Sequence, residues 1–154
     1  MRAAALVLAL LLTSCGAGDG CVTVQAPHGL SMRTEKRPGT IELATGEPTE
    51  YGLVLGLDGV RVQNGTSAAI APSFGLDFRR TPDAAQATYL LRIVAGEKTI
   101  PPGEARSYTL AFDSVAWDGP TAPAAPTIAL LVTVGDRTTE VPVPGERQWC
   151  PPTR

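Results

Sequence analysis

"ARSYTLAFD", residues 105–113, decides the fold class. Its larger apolar side chains, Tyr108, Leu110 and Phe112, fall on alternate positions with Ser107, Thr109 and Ala111 between them. A period of two belongs to a strand with one buried face, whereas a helix spaces its apolar residues three and four apart. Just upstream, Pro101, Pro102 and Gly103 make a tight turn, and alternation resumes at once after it.

The same signature recurs on both sides of this stretch. "CVTVQ" opens at Cys21, and "TIELAT" follows a Pro38-Gly39 turn signal. "EYGLVLGLDGVRVQNG", residues 50–65, reads as two strands or one long bent strand, with Val60 and Val62 on one face and Arg61 and Gln63 on the other. "ATYLLRIVAG" ends at Gly96, and "TIALLVTVG" places Ile128, Leu130, Val132 and Val134 on one face. "TTEVPVP" is expected as a last short strand at an edge, because Pro142 and Pro144 have no N–H to donate. Asp58-Gly59 and Asn64-Gly65 are hairpin-turn dipeptides. The one helix signal, "RTPDAAQA", has Thr81 as cap, Pro82 in the first helical position and Asp83 favoured by the dipole; it predicts a turn or two. Short strands at this spacing predict an all-β, antiparallel sandwich of about seven to eight strands over residues 21–154.

The N-terminus follows a different pattern. After Met1 and Arg2 comes "AAALVLALLL", Ala3 to Leu12. As a helix such a run rises only about 15 Å, half the hydrocarbon thickness of a bilayer, so it is too short for a stable span. A cationic start, a short apolar core and small residues form a secretory signal. The run closes at Leu12-Thr13-Ser14-Cys15, which resembles the lipobox of bacterial lipoproteins. The resemblance implies cleavage after Ser14, leaving residues 1–14 as signal peptide. It also implies a diacylglyceryl group on the Cys15 thiol, with Cys15 as the mature N-terminus. Two or more acyl chains give a durable membrane anchor where one gives marginal, reversible binding. Gly16 follows, where the Gram-negative inner-membrane retention signal has Asp. The expectation is therefore the outer membrane of a Gram-negative cell, or the outer face of the plasma membrane of a Gram-positive one. Arginine outnumbers lysine 11 to 2, a bias that suggests a GC-rich genome and fits either envelope.

Residues 15–154 make one domain of ordinary size, long enough to bury a core without metal. The formal charge of the whole chain is −2, and there is no basic run, so nucleic acid is not an expected partner. Of the three cysteines, Cys21 and Cys150 remain after Cys15. In an oxidising compartment they are expected to pair, the alternative being two buried or reactive thiols. Such a bridge closes nearly the whole domain, which the chain-entropy model values at about 5 kcal/mol at most. Between Cys15 and Cys21 lie only "GAGDG", so residues 15–20 form a short lipidated tether whose six steps to Cys21 span about 20 Å when extended. The folded body is thus expected to hang close to the headgroups, with both of its ends on the membrane side.

"VRVQNGTSAAIAPSFGLDF" and "TIPPGEARSYTLAFD" resemble immunoglobulin-like domains of bacterial surface lipoproteins, including the telokin-like sort. In those, a strand ending in Asn starts a loop, and a Pro-Gly-Glu turn starts a strand ending in Leu-x-Phe. The resemblance covers residues 60–113 and implies an accessory or binding domain without an active site to carry over. The antibody-type Cys…Trp…Cys core is absent.

Catalytic chemistry finds little material. The single histidine, His28, sits in the turn "APHGL", with no Gly-x-Ser-x-Gly elsewhere. Carboxylate pairs such as Glu47 with Glu50 and Asp77 with Asp83 fall where solvated loops are expected. One histidine and one mature methionine, Met32, leave no metal-ligating cluster. No catalytic residue, metal or cofactor is assigned. Asn64-Gly65-Thr66 fits the glycosylation sequon, though turn chemistry explains it better. Arg79 and Arg80 in "FRRTPD" read as a solvated pair, an anion site at a helix start being the other reading. The loop "DSVAWDGPTAPAAP", residues 113–126, is long and proline-rich, and Trp117 with Asp118 is the candidate partner-binding pair. The competing reading has Trp117 folding back over the open end of the sheet. Trp149 is expected to pack on the bridge. Together these features point to a lipid-anchored, non-catalytic interaction domain that engages a membrane-proximal protein of the envelope. The alternative is a lipoprotein that captures a small molecule or cell-wall fragment, for which aromatic content of 5% is sparse.

Overall fold

The computed structural model describes residues 18–27, 30–37, 44–46, 50–81, 83–117, 119–124 and 126–151. Among them are nine strands: β1 (Val22–Ala26), β2 (Leu30–Lys36), β3 (Tyr51–Asn64), β4 (Ser73–Arg79), β5 (Ala87–Ala95), β6 (Ala105–Trp117), β7 (Thr127–Val134), β8 (Arg137–Pro142) and β9 (Gly145–Trp149). The described residues contain no helix. The chain is all-β, as its alternation predicts. The signal peptide, Cys15, His28, Glu47, Pro82, Asp118 and most of "TIELAT" lie outside the described residues.

The hydrogen-bonded order is β8-β7-β4-β5-β6-β3-β1-β9, with β2 also paired to β3, and every described pairing is antiparallel. The ladder therefore runs on through one sheet instead of dividing into two unlinked ones. Its ends come together, since β8 and β9 lie against each other and Arg147 Nε reaches the Glu140 carbonyl at 3.4 Å. The result is a nearly closed barrel. Pro142 does place β8 at the end of the ladder, but β9 follows it, so β8 is not the last strand.

β3 explains the continuity. It is one long strand of 14 residues, whose one edge pairs with β6. The other edge is shared in succession by β2, along Tyr51–Leu57, and β1, along Arg61–Asn64. Leu53, Leu55 and Leu57 are buried on odd positions, Val60, Val62 and Asn64 on even ones. The change of parity happens at Asp58-Gly59, where two steps on β3 oppose one step on β6. Gly59 adopts φ +79°, a conformation glycine takes without strain. This bulge keeps both halves of the strand facing the core while increasing its bend.

The interior is filled by these side chains together with Tyr108, Leu110 and Phe112 of β6, Leu76 of β4 and Leu130 and Val132 of β7. The alternation read from "ARSYTLAFD" is thus the inward face of β6. The helical turn or two expected in "RTPDAAQA" is not found among its described residues, which hold one hydrogen-bonded turn instead, Ala84 N–H donating to Thr81 O at 3.0 Å.

Candidate functional site

The barrel has two unlike poles. At the first, Val22 pairs with Asn64 on one side and Trp149 on the other, which sets Cys21 opposite Cys150, and the two are joined as a disulfide. The bridge fastens the first described strand to the last. Trp149 is buried in the core beside it, 5% exposed.

The chain ahead of Cys21 is also held at this pole. Gly20 N–H donates to Gly65 O at 3.0 Å, and Gly65 N–H to Cys21 O at 2.8 Å. The Asp19 carboxylate accepts from Cys21 N–H at 2.9 Å and from Gln148 Nε2 at 2.5 Å. A Cβ on Gly18 would run into the Gly65 carbonyl, and one on Gly65 would run into Asp19 and Cys21. Only glycines allow so close an approach.

Asn64, fully buried, is the polar centre of this pole. Its Nδ2 donates to Ala68 O at 2.8 Å and Ile100 O at 2.9 Å, and its Oδ1 accepts from Thr66 N–H at 3.0 Å and Thr66 Oγ1 at 2.6 Å. Both amide hydrogens are engaged and no surface is left, so the sequon asparagine is built into a turn.

The opposite pole carries Trp117, across from Tyr51 in the β3–β6 register. Trp117 is half-buried and folds back on the barrel rim: its ring meets Phe78 edge-on at 6.3 Å, and Nε1 donates to Thr121 O at 2.8 Å. The Arg80 guanidinium lies over the ring, 3.9 Å from its centroid. Phe78 in turn contacts Tyr89, which stacks on Phe112 at 4.9 Å. Thr34 Oγ1 donates to Pro120 O, tying the same loop to β2. Trp117 therefore acts as a pin. It holds residues 119–124 and the Arg79-Arg80 turn as one preformed surface, and its own ring is largely spoken for. Alternation in the sequence predicts neither the Arg80–Trp117 contact nor the role of Asp19, because both join residues far apart in the chain.

The other candidates are dispersed. Glu50 pairs with Arg37 at 3.3 Å. Asp77 accepts from Gln86 and from Thr88 Oγ1, and Arg79 donates to Gln86 at 3.0 Å, while Asp83 lies exposed in the neighbouring turn. Arg106 sits between Glu97 (2.9 Å) and Glu104 (2.6 Å), and hydrogen bonds from it to both carboxylates hold it more firmly protonated. Burial pushes the Tyr108 phenol above its ordinary pKa, against the pull of Arg106. No group of three or more His, Cys, Asp or Glu among the described residues could hold a metal ion. Among them also, no helix is long and apolar enough to cross a membrane. Leu90 (87% exposed) and Val94 (52%) stand on the outer face of β5, and Leu90 borders a shallow groove of about 390 Å³ that also touches Phe74 and Lys98.

No protein-family model, curated protein or solved structure matches the chain.

Proposed function

We propose that this chain is a lipid-anchored lipoprotein of the bacterial cell envelope, acting without catalysis as an interaction domain for a membrane-proximal protein partner. Leu12-Thr13-Ser14-Cys15 supports the anchor, a diacylglyceryl group on Cys15. We also read the domain as immunoglobulin-like in kind, a rigid all-β body that displays loops at one end. The observation that carries the interaction reading is the loop surface fixed by Trp117. Residues 119–124, the Arg80 turn and β2 are tied together before any partner arrives. Preorganised loops lose less freedom on binding. The capture of a small molecule or cell-wall fragment draws less support, because the barrel interior is filled by its own side chains.

The test places a photo-crosslinker at Thr121 on this loop, or at Thr138 near the disulfide pole, in intact cells. One envelope protein joined from position 121 and not from 138, and lost with Trp117→Ala, supports the reading. Equal capture from both positions, or none from 121, removes it. Cell fractionation of Cys15→Ala tests the anchor separately: the variant leaves the membrane fraction if acylation holds the protein there.

A further inference from the structure

Resting on the anchored reading just given, we infer that the body stands on its disulfide pole against the lipid headgroups and holds the Trp117 pole away from the membrane. The argument begins with the length of free chain. From Cys15 to Cys21 the sequence offers six steps, but Gly18, Asp19 and Gly20 are already fastened to the pole by Gly65, Cys21 and Gln148. Three steps remain between the acylated residue and Gly18, a reach of about 10 Å. Gly18 and the disulfide pole are thereby confined to the headgroup layer.

Lying on a side is disfavoured from both directions. The flank nearest the tether, β1, β9 and β8, exposes no large apolar side chain to bury, and its exposed charges, Arg137 and Arg147 against Glu140 and Glu146, cancel, so it gains nothing from an anionic surface. The exposed apolar pair, Leu90 and Val94, is on β5, on the far side of the barrel from β1 and β9. Opposite walls of such a barrel are about 15 Å apart backbone to backbone, and more between outer faces, so the tether cannot bring β5 to the lipid. With the short tether attached at the end of the barrel and neither of these faces drawn to the lipid, the upright pose is favoured. The turns that then meet the surface include Ser67-Ala68-Ala69 and Pro102-Gly103, all exposed. Along β3, the 14 residues from Asn64 to Tyr51 cover about 45 Å of strand, which the tilt of barrel strands reduces to about 35 Å between the poles. The membrane-proximal partner would thus be met by a loop surface raised above the lipid.

The experiment uses the acylated full chain in vesicles of phosphatidylethanolamine and phosphatidylglycerol, with an energy-transfer acceptor on the headgroups. With Cys15 acylated and Cys21 bridged to Cys150, a Ser67→Cys or Thr121→Cys variant presents one thiol for the donor dye. Transfer at position 67 is expected to exceed that at 121 severalfold. Inserting a flexible Gly-Ser segment of about ten residues after Gly16 should bring the two values together. Equal transfer at both positions without the insertion, or a difference the insertion leaves intact, overturns the upright pose. A chain that fails to float with the vesicles overturns the anchored reading instead, and the pose falls with it.

Discussion

The guanidinium of Arg80 lies 3.9 Å above the ring of Trp117, joining the turn after β4 to the end of β6. Arg80 follows β4 and Trp117 closes β6, two strands that do not pair directly with each other. At a solvent-facing site such a pair contributes about 0.5–1 kcal/mol, while the apolar contact of the ring with Phe78 contributes more.

Trp117→Ala should therefore destabilise the domain by about 2 kcal/mol, below the range for a fully buried Trp because the ring is half-buried. It should also free residues 119–124, since the hydrogen bond to Thr121 O is lost. Arg80→Ala should cost about 0.5 kcal/mol and leave that bond in place. Urea unfolding, with hydrogen exchange across the loop, separates the two. Equal protection of the loop in both variants would contradict the pinning role.

Asn64→Ala removes all four hydrogen bonds of a fully buried side chain and strands the Thr66 amide, while the Ile100 carbonyl keeps the Ile70 N–H and the Ala68 carbonyl keeps Thr66 Oγ1. A loss of about 3 kcal/mol is expected, at the upper end for orphaned buried groups. Asn64→Asp should do worse at neutral pH, because a carboxylate cannot donate to the Ala68 and Ile100 carbonyls. The denaturation midpoints of the two variants check the order. Treating the wild type with a glycosidase should change neither mass nor stability, since Nδ2 is occupied.

Legibility in the sequence follows how much apolar contrast each strand carries. Tyr108, Leu110 and Phe112 stand out against Ser107 and Thr109, and the inward face of β6 can be read directly. β9 buries only Trp149 near its end and shows Glu146, Arg147 and Gln148 to solvent, so its pattern is polar and it was not expected. β2 has Leu30, Met32 and Thr34 only half-buried, which leaves a weak alternation, and Gly75 interrupts the run in β4. Barrel closure depends on β3 sharing one edge between β1 and β2, a long-range choice that no local pattern records. At the candidate site, Cys21 with Cys150 was legible because the cysteines are few. The pin at Trp117 is only half legible: the length and prolines of its loop stand out in the sequence, but Arg80 and Phe78 reach it through the fold.

The bulge at Gly59 offers a direct test of parity. Gly59→Ala forces a Cβ into φ +79°, with open space around it, so conformation alone sets the cost at about 1 kcal/mol. Deleting Gly59 is a different perturbation. It turns Val60, Val62 and Asn64 outward or breaks the pairing to β6, because a one-residue slip reverses every side chain. The substitution should shift the thermal midpoint by a few degrees, whereas the deletion should abolish cooperative melting. A deletion variant that melts cooperatively would show that the bulge does not set the register.

Tyr108 is 1% exposed, packs on Phe74 at 5.0 Å, and its hydroxyl has no hydrogen-bond partner among the described residues. Burying an unpartnered hydroxyl is unfavourable, so Tyr108→Phe should keep the ring contact and raise stability by about 1 kcal/mol at pH 7. The same burial raises the phenol pKa in the folded state above the ordinary value of about 10. The folded protein then holds this proton more tightly than the unfolded chain does. Stability from this group is fully present below pH 10 and is lost as pH rises from there through the higher folded value. Urea unfolding between pH 8 and pH 11 should show a decline in the wild type that is shallower in Tyr108→Phe. Identical slopes would mean that the phenol reaches solvent in the folded protein, and that its hydroxyl finds water at the rim of the barrel.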